Sequence, residues 1–170
     1  MLSLRHRIAL TLLPQLALLA VLGAAGVFIL RLLDNNVQQL GNRIDRILRE
    51  NYDSVLYMQH LDEALERIDS SFQFALAGRE EQARDQYRDN GAAYEANLLK
   101  EEKNITLPGE GELVGELRDL TTRYRAKGED FYRRTPRDPR REQDYFGDDG
   151  LLQTFQRIKE VSGKILRMNE

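Results

Sequence analysis

The sequence contains no cysteine and no tryptophan. Without cysteine, the chain can form no disulfide bond, no thiolate zinc site and no cysteine nucleophile. A domain that lacks disulfides must be held together by packing, and 170 residues are enough to bury the core that this requires. The composition therefore predicts a fold that depends on side-chain packing alone.

A strong charge of one sign is also lacking. The 25 Lys and Arg residues nearly balance the 28 Asp and Glu residues, and the net charge is -3. Nucleic-acid-binding domains usually carry a basic surface, so we expect no nucleic-acid partner. Only 4 Pro and 12 Gly residues are present, and they cluster at a few places that mark turns.

The long apolar run is confined to one end of the chain. Residues 8–30 contain no charged side chain, and about 20 apolar residues let a helix cross a bilayer. The basic stretch at 5–7 favours a cytoplasmic N-terminus. A cleavable signal peptide is the alternative, but its apolar core is about 7–15 residues long, and this run continues past its small residues. We predict a cytoplasmic segment over 1–7 and an uncleaved transmembrane helix over 8–33.

Apolar residues then recur every seven positions, which predicts a long helix in a coiled-coil-like bundle. One series contains Val37, Ile44, Asn51, Met58, Leu65 and Phe72. The companion series contains Leu40, Ile47, Ser54, Leu61, Ile68 and Ala75. Additional apolar residues widen the stripe at Leu48, Val55 and Leu76. We expect this helix to run from about Asp34 to Ala77 and to end at Gly78.

Three more amphipathic segments follow. The second helix is predicted over 80–104, a third carries Leu113 to Phe131, a polar loop spans 136–147, and a fourth helix begins at Leu151. The predicted fold is all-α. One transmembrane helix is continuous with the long helix of an antiparallel up-down four-helix bundle, and residues 34–170 form that extracytoplasmic domain.

The helix lengths also predict which residues are neighbours. The second helix is shorter than the first, so it should end beside residues 51–53. We therefore expect Asn51 and Tyr52 to lie close to the loop at 105–109. The fourth helix is still apolar on one face at Glu170, and we expect a stalk and a second spanning helix beyond it.

Three motifs resemble a known family. They are Glu-Asn-Tyr-Asp-Ser-Val at 50–55, Asp-Ser-Ser-Phe-Gln-Phe-Ala-Leu-Ala-Gly at 69–78, and Asn-Ile-Thr-Leu-Pro-Gly-Glu-Gly at 104–111. Together they look like the N-terminal sensor region of bacterial membrane histidine kinases with a KinB-type four-helix sensor domain. The resemblance implies a periplasmic sensor, a homodimer, a second transmembrane helix, a HAMP relay and a kinase core. The last three lie outside this sequence.

The resemblance implies signal sensing and transmembrane signal transduction for a two-component sensor histidine kinase. It also implies a bacterial inner-membrane location with a cytoplasmic N-terminus and a periplasmic sensor. The expected partners are a second copy, membrane lipid, and an unidentified small ligand or envelope signal. Two alternatives remain: the ligand-binding domain of a methyl-accepting chemotaxis receptor, and a membrane-tethered coiled coil without a signalling role.

We expect no catalytic residue, cofactor or metal in this chain. A kinase needs a phospho-accepting His and glycine-rich ATP-binding boxes, and the sequence has neither. His60 falls on the solvent side of the heptads. The acidic pairs Asp62/Glu63 and Glu101/Glu102 are interpreted as solvated helix faces.

Several polar residues occupy positions where apolar side chains are expected. A buried Asn often fixes the register of packed helices, so these residues either set the packing or line a ligand pocket. The possible ligand or switch region comprises Asn51, Tyr52, Ser54, Asn90, Asn97 and Asn104.

A cluster of arginines defines the second candidate site. Arginine binds phosphate and carboxylate groups through paired hydrogen bonds, so the cluster could bind an anion. Acidic residues that follow at once could instead neutralise it within a solvated loop. The possible anion-binding residues are Arg133, Arg134, Arg137, Arg140 and Arg141.

Overall fold

The computed structural model describes the backbone of residues 4–170. Side chains are described for residues 37–170 and for Gly23, Gly26, Phe28, Leu30, Arg31, Leu33 and Asp34. Within this range every regular element is an α-helix, which confirms the predicted fold class at that level. The helices are α1 (Leu4–Leu76), α2 (Glu80–Glu101), α3 (Glu110–Arg133), α4 (Arg140–Phe146) and α5 (Leu151–Asn169).

The chain divides into two compact units, residues 1–46 and residues 47–170. The predicted transmembrane segment, 8–33, lies mostly outside the described side chains. In the portion with described side chains, no helix is sufficiently long and apolar to cross a bilayer. The spanning helix therefore stays a prediction from the sequence.

The second unit is a four-helix bundle, built from the C-terminal part of α1 together with α2, α3 and α5. The heptad residues of α1 form one side of its core, and each is at most 5% exposed from Met58 onward. Burying such a side chain contributes about 1.5–3 kcal/mol. The core residues of the other helices include Ala83, Tyr94, Leu98, Val114, Leu117, Leu120, Ile158, Val161 and Ile165.

Burial changes sharply along the heptads of α1. The same two series that are buried from Met58 are exposed nearer the N-terminus. The exposed fractions are 66% for Val37, 59% for Leu40, 49% for Ile44 and 46% for Ile47. We call these four residues the exposed heptad stripe. One copy of the chain thus leaves an apolar helix face in contact with solvent.

The joint between α1 and α2 is a Schellman turn at Gly78. The Gly78 amide donates to the Ala75 carbonyl at 3.0 Å, and the Arg79 amide donates to the Phe74 carbonyl at 2.9 Å. Gly78 has a φ of 84°, in the left-handed region that glycine adopts without a Cβ clash. The predicted helix end at this glycine is confirmed.

Polar contacts set the pairing of α5 with α1. Lys159 Nζ lies 3.0 Å from Asp62 Oδ2 and 2.8 Å from Glu66 Oε1. One turn along α5, Ser162 Oγ donates to Asp62 Oδ1 at 2.6 Å. The Asp62 side chain is therefore an interhelix acceptor, and its interpretation as part of a solvated face is wrong.

The loop predicted over 136–147 contains a short helix, α4, which the sequence pattern did not indicate. Tyr145 holds this helix in place, because its side chain is only 1% exposed. Its ring lies 6.3 Å from the Phe72 ring, and its hydroxyl donates to Asp69 Oδ2 at 2.8 Å. A tertiary anchor therefore orders a segment that is too short and polar to be helical by itself.

Aromatic rings fill the end of the bundle nearest Gly78. Phe72 is their centre, with ring centroids 5.1–6.3 Å from those of five neighbours. Edge-on and tilted pairs of this kind stabilise a core beyond the area that they bury. The neighbours are Tyr87, Tyr124, Phe131, Tyr132 and Tyr145.

Candidate functional site

At the opposite end of the bundle, four helices converge on a buried polar cluster, which we call the carboxyl cluster. It comprises Ser54 on α1, Glu101 at the end of α2, Glu110 at the start of α3 and Asn169 in the last turn of α5. Glu101 and Glu110 are both 0% exposed, Ser54 is 1% exposed and Asn169 is 7% exposed. Two carboxyl groups thus lie in a part of the core where an ionised group is poorly solvated.

Glu110 is well supplied with hydrogen bonds. Its Oε2 accepts from the backbone amides of Thr106 at 2.7 Å and Leu107 at 3.0 Å. Its Oε1 accepts from Asn169 Nδ2 at 2.7 Å. Three N–H donors on two oxygens suit a carboxylate, which can only accept hydrogen bonds. Glu110 therefore joins the α2–α3 connection to the end of α5.

Glu101 is much less well satisfied. Ser54 Oγ donates to its Oε1 at 2.6 Å, while its Oε2 has no partner among the described residues. Burial raises the pKa of Glu101 to about 7, the Ser54 hydrogen bond lowers it, and the charge of Glu110 raises it further. Glu101 therefore exchanges its proton near neutral pH, and its interpretation as part of a solvated face is wrong.

The connection between α2 and α3 also contacts α1 through two polar side chains. Asn104 Nδ2 donates to the Glu50 carbonyl at 2.7 Å, and Thr106 Oγ1 donates to Asn51 Oδ1 at 3.4 Å. The predicted proximity of Asn51 to this connection is confirmed. Tyr52 is 68% exposed and lies outside the carboxyl cluster.

Two of the predicted polar residues lie elsewhere. Asn90 Nδ2 donates to the Gln86 carbonyl at 2.8 Å, and Asn97 Nδ2 donates to the Ala93 carbonyl at 2.9 Å. Both bonds are made within α2, four residues back along the helix. The structure therefore brings together Asn51, Ser54 and Asn104 but not Asn90 or Asn97.

A third buried acid, Asp69, lies near the aromatic end of the bundle. It accepts from the Tyr145 hydroxyl at 2.8 Å, from Gln73 Nε2 at 2.9 Å and from the Tyr124 hydroxyl at 3.5 Å. Burial raises the pKa of Asp69, while these hydrogen bonds lower it. Asp69 is well supplied with donors, unlike Glu101.

The sequence held a signal for Asp62 and Asp69 that our interpretation missed. Both occur in the flanking heptad series that otherwise contains Leu48, Val55 and Leu76. An acidic residue in a series of apolar ones is expected at the edge of a core, where another helix can supply a hydrogen-bond donor.

The five candidate anion-binding arginines are mostly engaged with carboxylates. Arg133 Nη2 lies 2.5 Å from Asp130 Oδ1, and Arg140 Nη2 lies 2.7 Å from Asp138 Oδ2. Arg134 forms a paired contact with Asp144. Arg137 is exposed, with a φ of 67°. Arg133, Arg134 and Arg140 thus pair with nearby carboxylates, and anion binding by the cluster stays a prediction from the sequence.

Arg141 differs from the other four because it is buried, with only 1% exposed. Its guanidinium bonds both oxygens of Glu80, at 2.6 and 3.1 Å, and also donates to the carbonyls of Phe131 and Arg134. It stacks on the Phe131 ring at 4.8 Å. Its donors are therefore used within the fold and are not offered to a ligand.

An open groove of about 740 Å³ lies between α1, α2 and α3. Its apolar surface includes Leu65, Ile68 and Leu99, and small residues of α2 leave it unfilled. Lys100 and Lys103 lie among its polar lining residues. The groove has the size and chemistry to accept the apolar body of a small molecule. Small side chains line it at Gly91, Ala92 and Ala96.

Across the described portion of the chain, no three His, Cys, Asp or Glu side chains are grouped so that they could hold a metal ion. Comparison with known proteins adds no further assignment: no family model, no curated protein and no solved structure matches this chain. Any function must therefore be argued from the motifs and the geometry described above.

Proposed function

We propose that this chain is the extracytoplasmic signal-sensing and transmembrane signal-transduction segment of a two-component sensor histidine kinase. In this proposal residues 8–33 anchor the chain in the bacterial inner membrane, and the bundle lies in the periplasm. A stimulus favours one of two packings of the bundle. The resulting shift of α1 against α5 passes towards the membrane.

The observation that carries the proposal is the change in burial along α1. A single helix contains the apolar run, the exposed heptad stripe and the buried heptads of the bundle. An apolar heptad stripe at 46–66% exposure is typical of a helix that packs against another helix. A long helix that carries an exposed stripe before its packed core is suited to transmit displacement along its axis.

The proposed partner at the exposed heptad stripe is a second copy of the chain. Val37 and Ile44 form one row of a seam, and Leu40 and Ile47 form the other. Two such stripes are self-complementary around a twofold axis, so a parallel pair would cover both. The interaction would also bring two bundles together on one side of the membrane.

The polar groups in the core support signalling over a purely structural coiled coil. A structural rod gains most stability from an apolar core, whereas this bundle buries two glutamates in its carboxyl cluster. Incompletely satisfied polar groups make a core responsive to its surroundings, since small chemical changes alter their energy strongly.

Topology is the first test of the proposal. A bacterial alkaline phosphatase, which is active only outside the cytoplasm, is fused after Glu170, and green fluorescent protein is fused there in a parallel chain. We expect phosphatase activity without fluorescence. A fluorescent, phosphatase-inactive pair would overturn the proposal.

Disulfide crosslinking in membranes tests the seam, and the absence of cysteine provides a clean background. The Ile44→Cys variant should form a crosslinked dimer on mild oxidation, because Ile44 lies in the exposed heptad stripe. Asn42→Cys is the matched control, since residue 42 lies on the opposite side of the helix. Equal crosslinking of both variants would contradict the proposed dimer.

A further inference from the structure

The acceptors of the carboxyl cluster outnumber its donors. Glu101 Oε2 and Asn169 Oδ1 are the two buried side-chain atoms without a hydrogen-bond partner in the described part of the chain. Both residues are at least nine-tenths buried. Buried acceptors without a donor are uncommon in folded proteins and are costly, so two in one cluster need a physical explanation.

A proton on Glu101 Oε2 would turn one of these two acceptors into a donor. An ionised carboxylate can only accept hydrogen bonds, whereas a protonated one also donates through its hydroxyl. Glu110 already takes three N–H donors and suits the ionised form. Glu101 takes one donor and suits the neutral form. Because the surroundings of the two neighbouring acids differ, one of them favours the ionised form and the other the neutral form.

The groups around the Glu101 carboxyl come from three other elements. Ser54 faces it from α1, Glu110 faces it from α3, and Asn169 of α5 joins the cluster by its bond to Glu110. The charged residue whose field acts on Glu101 is Glu110. The nearest charged residues along the same elements are Glu50 and Asp53 on α1, Lys100, Glu102 and Lys103 around the end of α2, Glu112 on α3, and Arg167 and Glu170 at the end of α5.

We propose that the carboxyl cluster is a proton-responsive clasp, which fastens the last turn of α5 to the α2–α3 connection when Glu101 is protonated and loosens it when Glu101 is ionised. Ionisation would place a second negative charge beside Glu110. Asn169 Nδ2 donates to Glu110 Oε1, so repulsion within the cluster acts on the 166–169 turn of α5. A role for the clasp in signalling rests on the proposed function. The binding of a proton by Glu101 does not depend on that function.

The direction of the effect on stability follows from the pKa. In the folded chain burial raises the pKa of Glu101 from 4.5 to about 7. The folded state therefore binds the proton more tightly than the unfolded state. The stabilisation is complete below about pH 4.5 and is lost as the pH rises through 7.

Thermal unfolding of the whole chain in detergent micelles, followed by circular dichroism, tests the proton site. Between pH 5 and pH 8 we expect the Tm to fall by on the order of 5–10 °C. The Glu101→Gln variant keeps the shape of the side chain and carries permanent donors, so it should lose most of this fall. Glu116→Gln is the matched control, because it neutralises an exposed glutamate on α3, and it should retain the fall in Tm. A wild-type pH dependence in Glu101→Gln would overturn the proposal.

A second variant keeps the test decisive even if Glu101→Gln does not fold. Ser54→Ala removes a hydrogen bond that favours the ionised form, so the midpoint of the pH effect should move to higher pH. An unchanged or lower midpoint counts against the site.

Hydrogen exchange tests the clasp itself. Amides in the last turn of α5, residues 166–169, should be more protected at pH 6 than at pH 8 after correction for the intrinsic rate. The Asn169→Ala variant should lose this difference, because it cannot donate to Glu110. Equal protection at both pH values would overturn the clasp. This outcome is independent of the topology test, whose failure would remove the sensor assignment and leave the proton site standing.

Discussion

Arg141 on α4 and Glu80 at the start of α2 form a two-point ion pair. Nη1 lies 2.6 Å from Oε2, and Nη2 lies 3.1 Å from Oε1. The Arg141 side chain is 2% exposed, whereas that of Glu80 is 21% exposed. The arginine therefore depends on this carboxylate and on two backbone carbonyls for the hydrogen bonds that it would otherwise make with water.

Removing this arginine should be strongly destabilising. We expect Arg141→Ala to lower the free energy of unfolding by about 3–5 kcal/mol, because it leaves buried acceptors without donors and opens a gap beside Phe131. Arg140→Ala removes an exposed side chain, and Asp138 keeps the Arg140 backbone amide as a donor, so this variant should change it by less than about 0.5 kcal/mol. Urea unfolding monitored by circular dichroism measures both, and equal effects would contradict the proposed role of Arg141.

The same ion pair predicts a loss of stability in acid. The hydrogen bond from Arg141 lowers the pKa of Glu80 below its usual 4.5. Its contribution is therefore present above about pH 4.5 and is lost as the pH falls through the lower, folded-state value. We expect the Tm to fall between pH 4.5 and pH 3.

Glu80→Gln should flatten that acid fall, whereas Glu81→Gln, an exposed neighbour, should retain it. The pH range of this effect lies below the pH range predicted for Glu101. Stability falls with decreasing pH in the case of Glu80 and with increasing pH in the case of Glu101. A Glu80→Gln variant with an unchanged acid response would show that other carboxylates cause the loss.

Two glycines of α3 should respond oppositely to the same substitution. A Cβ on Gly128 would lie 2.7 Å from the Tyr87 hydroxyl and 3.0 Å from Phe72 Cζ, whereas a Cβ on Gly115 would meet nothing within 4 Å. Gly128→Ala should therefore cost about 1–3 kcal/mol through overpacking. Gly115→Ala should gain about 0.5–1 kcal/mol through helix propensity. Thermal unfolding of the pair decides this, and stabilisation by both would mean that the Tyr87 ring moves aside freely.

The turn at Gly78 gives a prediction that depends only on the backbone. A Cβ there would meet no neighbouring atom, but the φ of 84° is unfavourable for any residue with a side chain. Gly78→Ala should cost about 1–2 kcal/mol in unfolding experiments. Gly91→Ala, inside α2 and also free of close neighbours, should instead be neutral or stabilising. A Gly78→Ala variant as stable as the parent would show that the turn relaxes.

Local signals explain which parts of the fold could be predicted. The heptad pattern of α1 depends on residues within one helix, and the helix end at Gly78 depends on residues within one turn. The structure has the buried heptads from Met58 onward and the turn at Gly78. The lengths of the first two helices also predicted the contact of Asn51 with the α2–α3 connection. Such deductions need only the helical repeat and the position of one turn.

Residues whose environment is created by distant segments could not be predicted. Glu101 belongs to an acidic pair that is typical of a solvated face, yet it is buried where Ser54 of α1 bonds it and Glu110 of α3 lies near it. Arg141 belongs to a run of arginines that look alike in sequence. It differs from Arg140 because it packs against Phe131 of the aromatic cluster, whereas Arg140 is exposed. Short-range patterns do not contain either fact.

The change in burial along α1 has a practical consequence for producing the protein. Among the described residues, the buried ones begin at Ser54. A recombinant polypeptide beginning near Ile47 would keep this entire core and omit Val37, Leu40 and Ile44. Such a fragment should fold in water without detergent, and it should stay monomeric if the exposed heptad stripe forms the proposed dimer. Crystallisation and solution spectroscopy could then be carried out on the bundle by itself.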